Sequence, residues 1–166
     1  MKYINISDLN YISFGHIMQS SKVHFQKFWT NEVEEMKAVR ISAGAGYAGD
    51  RIEPALENIR RGNVDYIMFE CLAERTIALA QKDRAADPQK GYNRLLEYRM
   101  ERVLPLLREH PVKIITNMGA ANPVAAAEKV RKMAAQYDLT DLKIAAVIGD
   151  EVTERIPAYG DVAIME

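Results

Sequence analysis

From Val39 onward the chain alternates between short apolar runs and amphipathic stretches. Four runs, VRIS (39–42), DYIMFE (65–70), VKIIT (112–116) and LKIAAVI (142–148), are nearly continuous in apolar residues. That is the pattern of strands covered on both faces. Helical patterns follow them. The first is short, carries Pro54, Leu56 and Ile59, and closes at Gly62. The second spans 72–84, and the third runs from about 92 to 109 with Leu96, Met100, Val103, Leu104 and Leu107 on one face. Pro105 removes a backbone donor there and predicts a kink or break. The fourth follows Asn122-Pro123, a cap residue and a first-turn proline. It carries Ala126, Val130, Met133, Ala134 and Tyr137 on one face. Strand alternating with helix predicts an α/β domain over residues 39–166: three layers around a mostly parallel sheet, Rossmann-like or flavodoxin-like.

Residues 1–38 break the pattern. Tyr3, Tyr11, Phe14, Phe25, Phe28 and Trp29 are scattered among polar residues without a clean period. They predict an atypical extension, irregular or partly helical, with a helix over 22–37. At the other end, GDVAIME reads as an interrupted strand.

Composition narrows the function classes. The chain has 166 residues, 48% hydrophobic and 27% charged, with a net charge of −1. A core is affordable, and no electrostatic pull toward nucleic acid or membrane exists. The single cysteine, Cys71, excludes an internal disulfide and agrees with a reducing compartment. Asn5, Asp8 and Asn10 interrupt the opening stretch, which does not read as a signal peptide. The longest apolar run, IAAVI at 144–148, is too short to span a bilayer. The expectation is a soluble, cytoplasmic protein with a small-molecule ligand and no nucleic-acid or membrane partner.

Gly44, Gly46 and Gly49 have the GxGxxG spacing of a dinucleotide loop, with a strand before them and Glu70 closing the next strand. Pro54 disagrees. A helix starting inside the loop would carry it in its interior, at a cost of about 3 kcal/mol or more. Placing Pro54 in the first turn moves the helix start to Asp50–Glu53 and leaves a longer loop ending in Asp50 and Arg51. Such a loop can present N–H groups to an anion, or its glycines can serve only a turn at positive φ.

In open α/β sheets, ligands bind beyond the carboxyl ends of the strands. Four stretches fall there: Gly44–Arg51, Glu70–Arg75, Asn117–Asn122 and Gly149–Glu151. Glu70 and Glu74 are the candidate catalytic groups. Four residues apart, they can share one face of a helix start, and one with a raised pKa would be a general base; a helix-dipole or loop-bonding role is the alternative. Gly44, Gly46, Gly49, Asp50, Arg51, Arg75, Asn117, Gly119, Asn122 and Asp150 are the candidate ligand-binding residues. Arg51 and Arg75 suit a carboxylate or phosphate, Asn117 and Asn122 a carbonyl. For Asn122 the cap role has the stronger claim. Cys71 has no histidine near it in sequence and reads as a small buried thiol. No metal site is predicted.

GAGYAGDRIEPA (44–55), DYIMFECLAERTIALAQ (65–81), ITNMGAANPVAAAEKV (115–130) and IAAVIGDEV (144–152) together resemble the acyclic terpene utilisation protein AtuA family. The resemblance covers about Val39 to Glu166. It implies breakdown of acyclic terpenes through acyl-CoA intermediates, and a chain cut short at its C-terminal end relative to the family. Three functions follow as expectations. The first is action on, or binding of, a CoA ester or small carboxylic acid at the rim; if enzymatic, this is hydratase or lyase chemistry. No required cofactor is inferred, with a CoA ester as a conceivable substrate. The second is a nucleotide-binding Rossmann-like domain. The third is a noncatalytic assembly subunit. A homo-oligomer is expected.

Overall fold

A computed structural model describes residues 2–5, 8–12 and 38–160 of the chain. Two three-stranded sheets are built from them. Strands β3 (Ile41–Ala45), β4 (Tyr66–Phe69) and β5 (Lys113–Thr116) form a parallel sheet in that order. Strands β1 (Lys2–Asn5) and β2 (Asp8–Ile12) form an antiparallel pair, and β6 (Ala145–Ile148) joins β1 antiparallel. The fourth apolar run of the periodic region is therefore a strand, as its pattern predicts, but it lies in the other sheet. A strand needs a backbone partner, and β1 supplies it through the register Lys2↔Ile148 to Asn5↔Ala145. The helix expected over 22–37 lies outside the described residues.

Among the described residues, four helices occur where the pattern predicts helix, with shifted bounds: the second spans 74–86 rather than 72–84, and the third 96–103 rather than about 92–109. Helix α1 (Glu53–Arg61) has Pro54 in its first turn and ends at Gly62, whose N–H donates to the Asn58 carbonyl. Helix α2 (Glu74–Ala86) buries only Ala80. Helix α3 (Leu96–Val103) gives way to a 3-10 turn at Leu104–Leu106, as expected for a chain that meets Pro105. Helix α4 (Pro123–Ala135) is capped by Asn122, which accepts from the Ala125 N–H.

The two faces of the parallel sheet differ. Register puts Ser42, Ile67 and Ile114 on one face, and Ile41, Tyr66 and Lys113, then Ala43, Met68 and Ile115, on the other. The first face is packed. Ile67 and Phe69 are fully buried, joined in one core by Ile52, Ala55 and Ile59 of the α1 region and Leu96, Met100 and Val103 of α3. Each of these side chains larger than alanine contributes roughly 1.5–3 kcal/mol. The second face is open: Ile41 is 71% and Ile115 50% exposed. Continuous apolar strands predict cover on both faces, and among the described residues only one face has it. Right-handed crossovers in the order β3-β4-β5 explain this, since each places its connecting helix on the same side. What stands is a mixed α/β fold with a small parallel sheet. No helix among the described residues is long and apolar enough to cross a membrane.

Candidate functional site

The carboxyl ends of β3, β4 and β5 converge, and side chains lace their loops together. Asn117 accepts from the Cys71 N–H at 2.7 Å and donates to Glu70 Oε1 at 2.9 Å. Arg84 of α2 donates to the Ala121 carbonyl at 2.8 Å and pairs with Glu151 at 2.9 Å. The loops predicted to share a rim thus do meet.

The glycine stretch does not form an empty anion cradle. Gly44 lies inside β3, where the β3–β4 register slips by one residue. A Cβ there would come within 2.7 Å of the Phe69 ring, so the glycine serves packing. Gly46 has open space around it, and its N–H already donates to the Asp50 carboxylate at 2.8 Å. Gly49 lies against the Tyr47 ring. Positive φ occurs at Gly91 and Gly149 but at none of these three. The turn explanation by left-handed backbone is therefore incorrect for this stretch.

Beneath the loop lies Arg99, 1% exposed. Its Nη2 donates to the carbonyls of Ala48 at 3.1 Å and Asp50 at 2.8 Å, and its Nη1 to Cys71 Sγ at 2.9 Å. The guanidinium ties the loop to the end of β4. Burial pushes the Cys71 thiol up, and the Arg99 charge opposes that shift. Sequence reasoning missed Arg99, although a signal existed. With Leu96, Met100 and Val103 it occupies one helical face, so it is a charge at a core position.

Glu70 is half-buried and held by Asn117 and by the Leu72 N–H at 3.0 Å. Both bonds favour the ionised form and lower its pKa, against a smaller opposing push from burial. The raised pKa considered for a rim carboxylate is not found at Glu70. Nor do Glu70 and Glu74 share a helical face. Helix α2 begins at Glu74 itself after an extended Ala73, so Glu70 lies outside the helix. Glu74, Arg51, Arg75 and Asp150 are exposed and make no side-chain hydrogen bond or ion pair among the described residues. Gly119 packs against Pro123, where a Cβ would approach within 2.8 Å. Asn122 caps α4 and also donates to the carbonyls of Pro88 and Lys90, both at 2.8 Å. Its polar capacity is largely used.

A cavity of about 240 Å³ opens beside these loops. Ala48, Leu72, Leu79, Ala80 and Leu95 give it apolar walls, with Cys71, Thr76, Asn93 and Arg94 among its polar ones. Gly49 is the one predicted site residue that lines it. Of the residues missed, Thr76 lies within the 65–81 stretch but outside the predicted rim, Asn93 and Arg94 lie in no motif, and only folding brings them together. No group of three or more metal-ligating side chains occurs among the described residues.

A family model described as acyclic terpene utilisation family protein AtuA matches residues 39–164. The chain belongs to the AtuA family. The match begins where the regular strand-helix pattern begins, and it includes every loop of the rim. No curated protein and no solved structure matches the chain. AtuA membership suggests a part in acyclic terpene utilisation.

Proposed function

We propose that this chain serves acyclic terpene breakdown by holding a small branched carboxylic acid, or the acyl part of its CoA thioester, in the cavity beside Cys71. The observation that carries this reading is the cavity itself: apolar walls, a few polar groups, and a position at the carboxyl ends of the strands. Its 240 Å³ falls below the roughly 300–1,000 Å³ of common ligand pockets, so it suits a short chain rather than a whole cofactor. A nucleotide has less support, because Asp50 already occupies the Gly46 N–H.

If the chain is an enzyme, hydratase or lyase chemistry belongs to the same proposal, with ionised Glu70 as the proton acceptor and Glu74 as a second carboxylate at the rim; neither lines the cavity, so both would act on the part of the substrate that extends beyond it. The three-layer Rossmann-like arrangement belongs to it too, and requires cover for the Ile41–Ile115 face. A homo-oligomer would supply such cover. Calorimetry with a ten-carbon branched unsaturated acid and with its CoA thioester tests the reading. Micromolar binding of either is expected, and absence of binding to both at millimolar concentration refutes it. Turnover unchanged in both Glu70→Gln and Glu74→Gln would remove their catalytic role.

A further inference from the structure

One ion pair stands between the cavity beside Cys71 and a second cavity adjoining it. Asp83, Tyr92 and Arg94 belong to the walls of both. Arg94 donates to Asp83 through Nε at 3.0 Å and Nη2 at 2.9 Å, the parallel fork by which a guanidinium holds a carboxylate. The two side chains are 72% and 28% exposed. Arg94 is exposed and Asp83 half-buried, so a second carboxylate can reach the guanidinium from solvent and compete with Asp83 for the same fork.

The surroundings favour an anion at that place. Lys82 and Lys90 act on the Asp83 carboxyl in the same direction as Arg94, and together they hold it below the usual carboxylate range. The other arginines near the rim are differently placed. Arg99 is buried and committed to carbonyls and a sulfur, and Arg84 is bonded to Ala121 and Glu151. Neither lines either cavity, and nor do Arg51 and Arg75. Arg94 alone of these joins a cavity wall to an exchangeable carboxylate.

We infer that Arg94 is the carboxylate-binding residue of this cavity, exchanging Asp83 for the head group of a free acid whose chain lies along Leu72, Leu79 and Leu95. This rests on the function proposed above and narrows it from acid or thioester to the free acid. A thioester has no carboxylate at its acyl carbon to offer the fork. Its phosphates, extending into the second cavity, would meet Asp87 and Glu97.

The test is calorimetry on the full chain with three probes: a ten-carbon branched unsaturated acid, the matching primary alcohol, and the CoA thioester of the acid. Arg94→Gln is expected to weaken the acid by about tenfold or more and the alcohol by less than about twofold. Asp83→Asn, which removes the competing carboxylate, is expected to tighten the acid. Arg94→Lys, keeping the charge without the fork, should fall between wild type and Arg94→Gln. Equal effects of Arg94→Gln on acid and alcohol, or no effect on either, would overturn the inference. So would tighter wild-type binding of the thioester than of the acid. A wild-type chain that binds none of the three refutes the preceding proposal, and this one with it. The acid-against-alcohol contrast in a chain that does bind tests Arg94 alone.

Discussion

The glycine loop and the wall formed by Asp83 and Arg94 border the same cavity and use their polar groups in opposite ways. In the loop, polar groups are spent internally. The Gly46 N–H is taken by Asp50, and the Ala48 and Asp50 carbonyls by buried Arg99. In the wall, the fork of Arg94 is exposed and its carboxylate, Asp83, half-buried, and on the inference above the pair changes partners. The loop that looks most like a ligand motif is a structural joint, while the wall inferred to exchange its carboxylate carries no motif. Spacing in a sequence identifies where polar groups lie. It does not say whether the fold has already used them.

The sharpest way to break this comparison is Arg99→Leu. It strands the Ala48 and Asp50 carbonyls and removes a donor from Cys71. The expected loss is roughly 3 kcal/mol or more in urea unfolding. A loss below about 0.5 kcal/mol would mean that the loop does not depend on Arg99. The glycines come next. Gly44→Ala drives a Cβ into Phe69 and is expected to cost about 1–3 kcal/mol. Gly46→Ala meets open space and should lie within about 0.5 kcal/mol of wild type. Equal effects at the two positions would reject the packing account of Gly44. Asn122→Ala removes the α4 cap and two bonds to the Pro88–Lys90 turn, so a cost of about 1–2 kcal/mol is expected.

The smallest effect concerns pH. The bonds from Asn117 and Leu72 lower the Glu70 pKa in the folded chain. Their contribution is complete above the unfolded value of about 4.3 and is lost as pH falls through the folded value. Glu70→Gln should therefore be slightly less stable than wild type at neutral pH, with the gap closing on acidification. Urea midpoints at neutral and acid pH measure it, and a gap that widens toward acid would reverse the assigned sign.

Local features were legible. Pro54 placed the start of α1, Pro105 ended α3, and Asn122-Pro123 opened α4, because each acts on its own backbone within one turn. Three loops of the rim were legible too, since the ends of β3, β4 and β5 follow from strand order; the fourth follows β6 of the other sheet and is tied in by Glu151 through Arg84. Arg99 was half-legible as a charge on an apolar face. Asp83 and Arg94 were not, being eleven residues apart on different elements. The pairing of β6 with β1 was also out of reach, because the partner sits at the far end of the chain.

The sequence by itself determined the family, the strand-helix alternation, the starts of α1 and α4 and the convergence of the loops after β3, β4 and β5, all of which depend on short-range chemistry or long specific motifs. Tertiary structure alone decided that, among the described residues, one face of the parallel sheet is packed and the other open. It alone decided that the glycine loop is tied down from beneath, and that a cavity lies between α2 and the loops. The reason is physical: the backbone preferences of a residue are local, but burial and the satisfaction of polar groups depend on what distant parts of the chain bring to the same place.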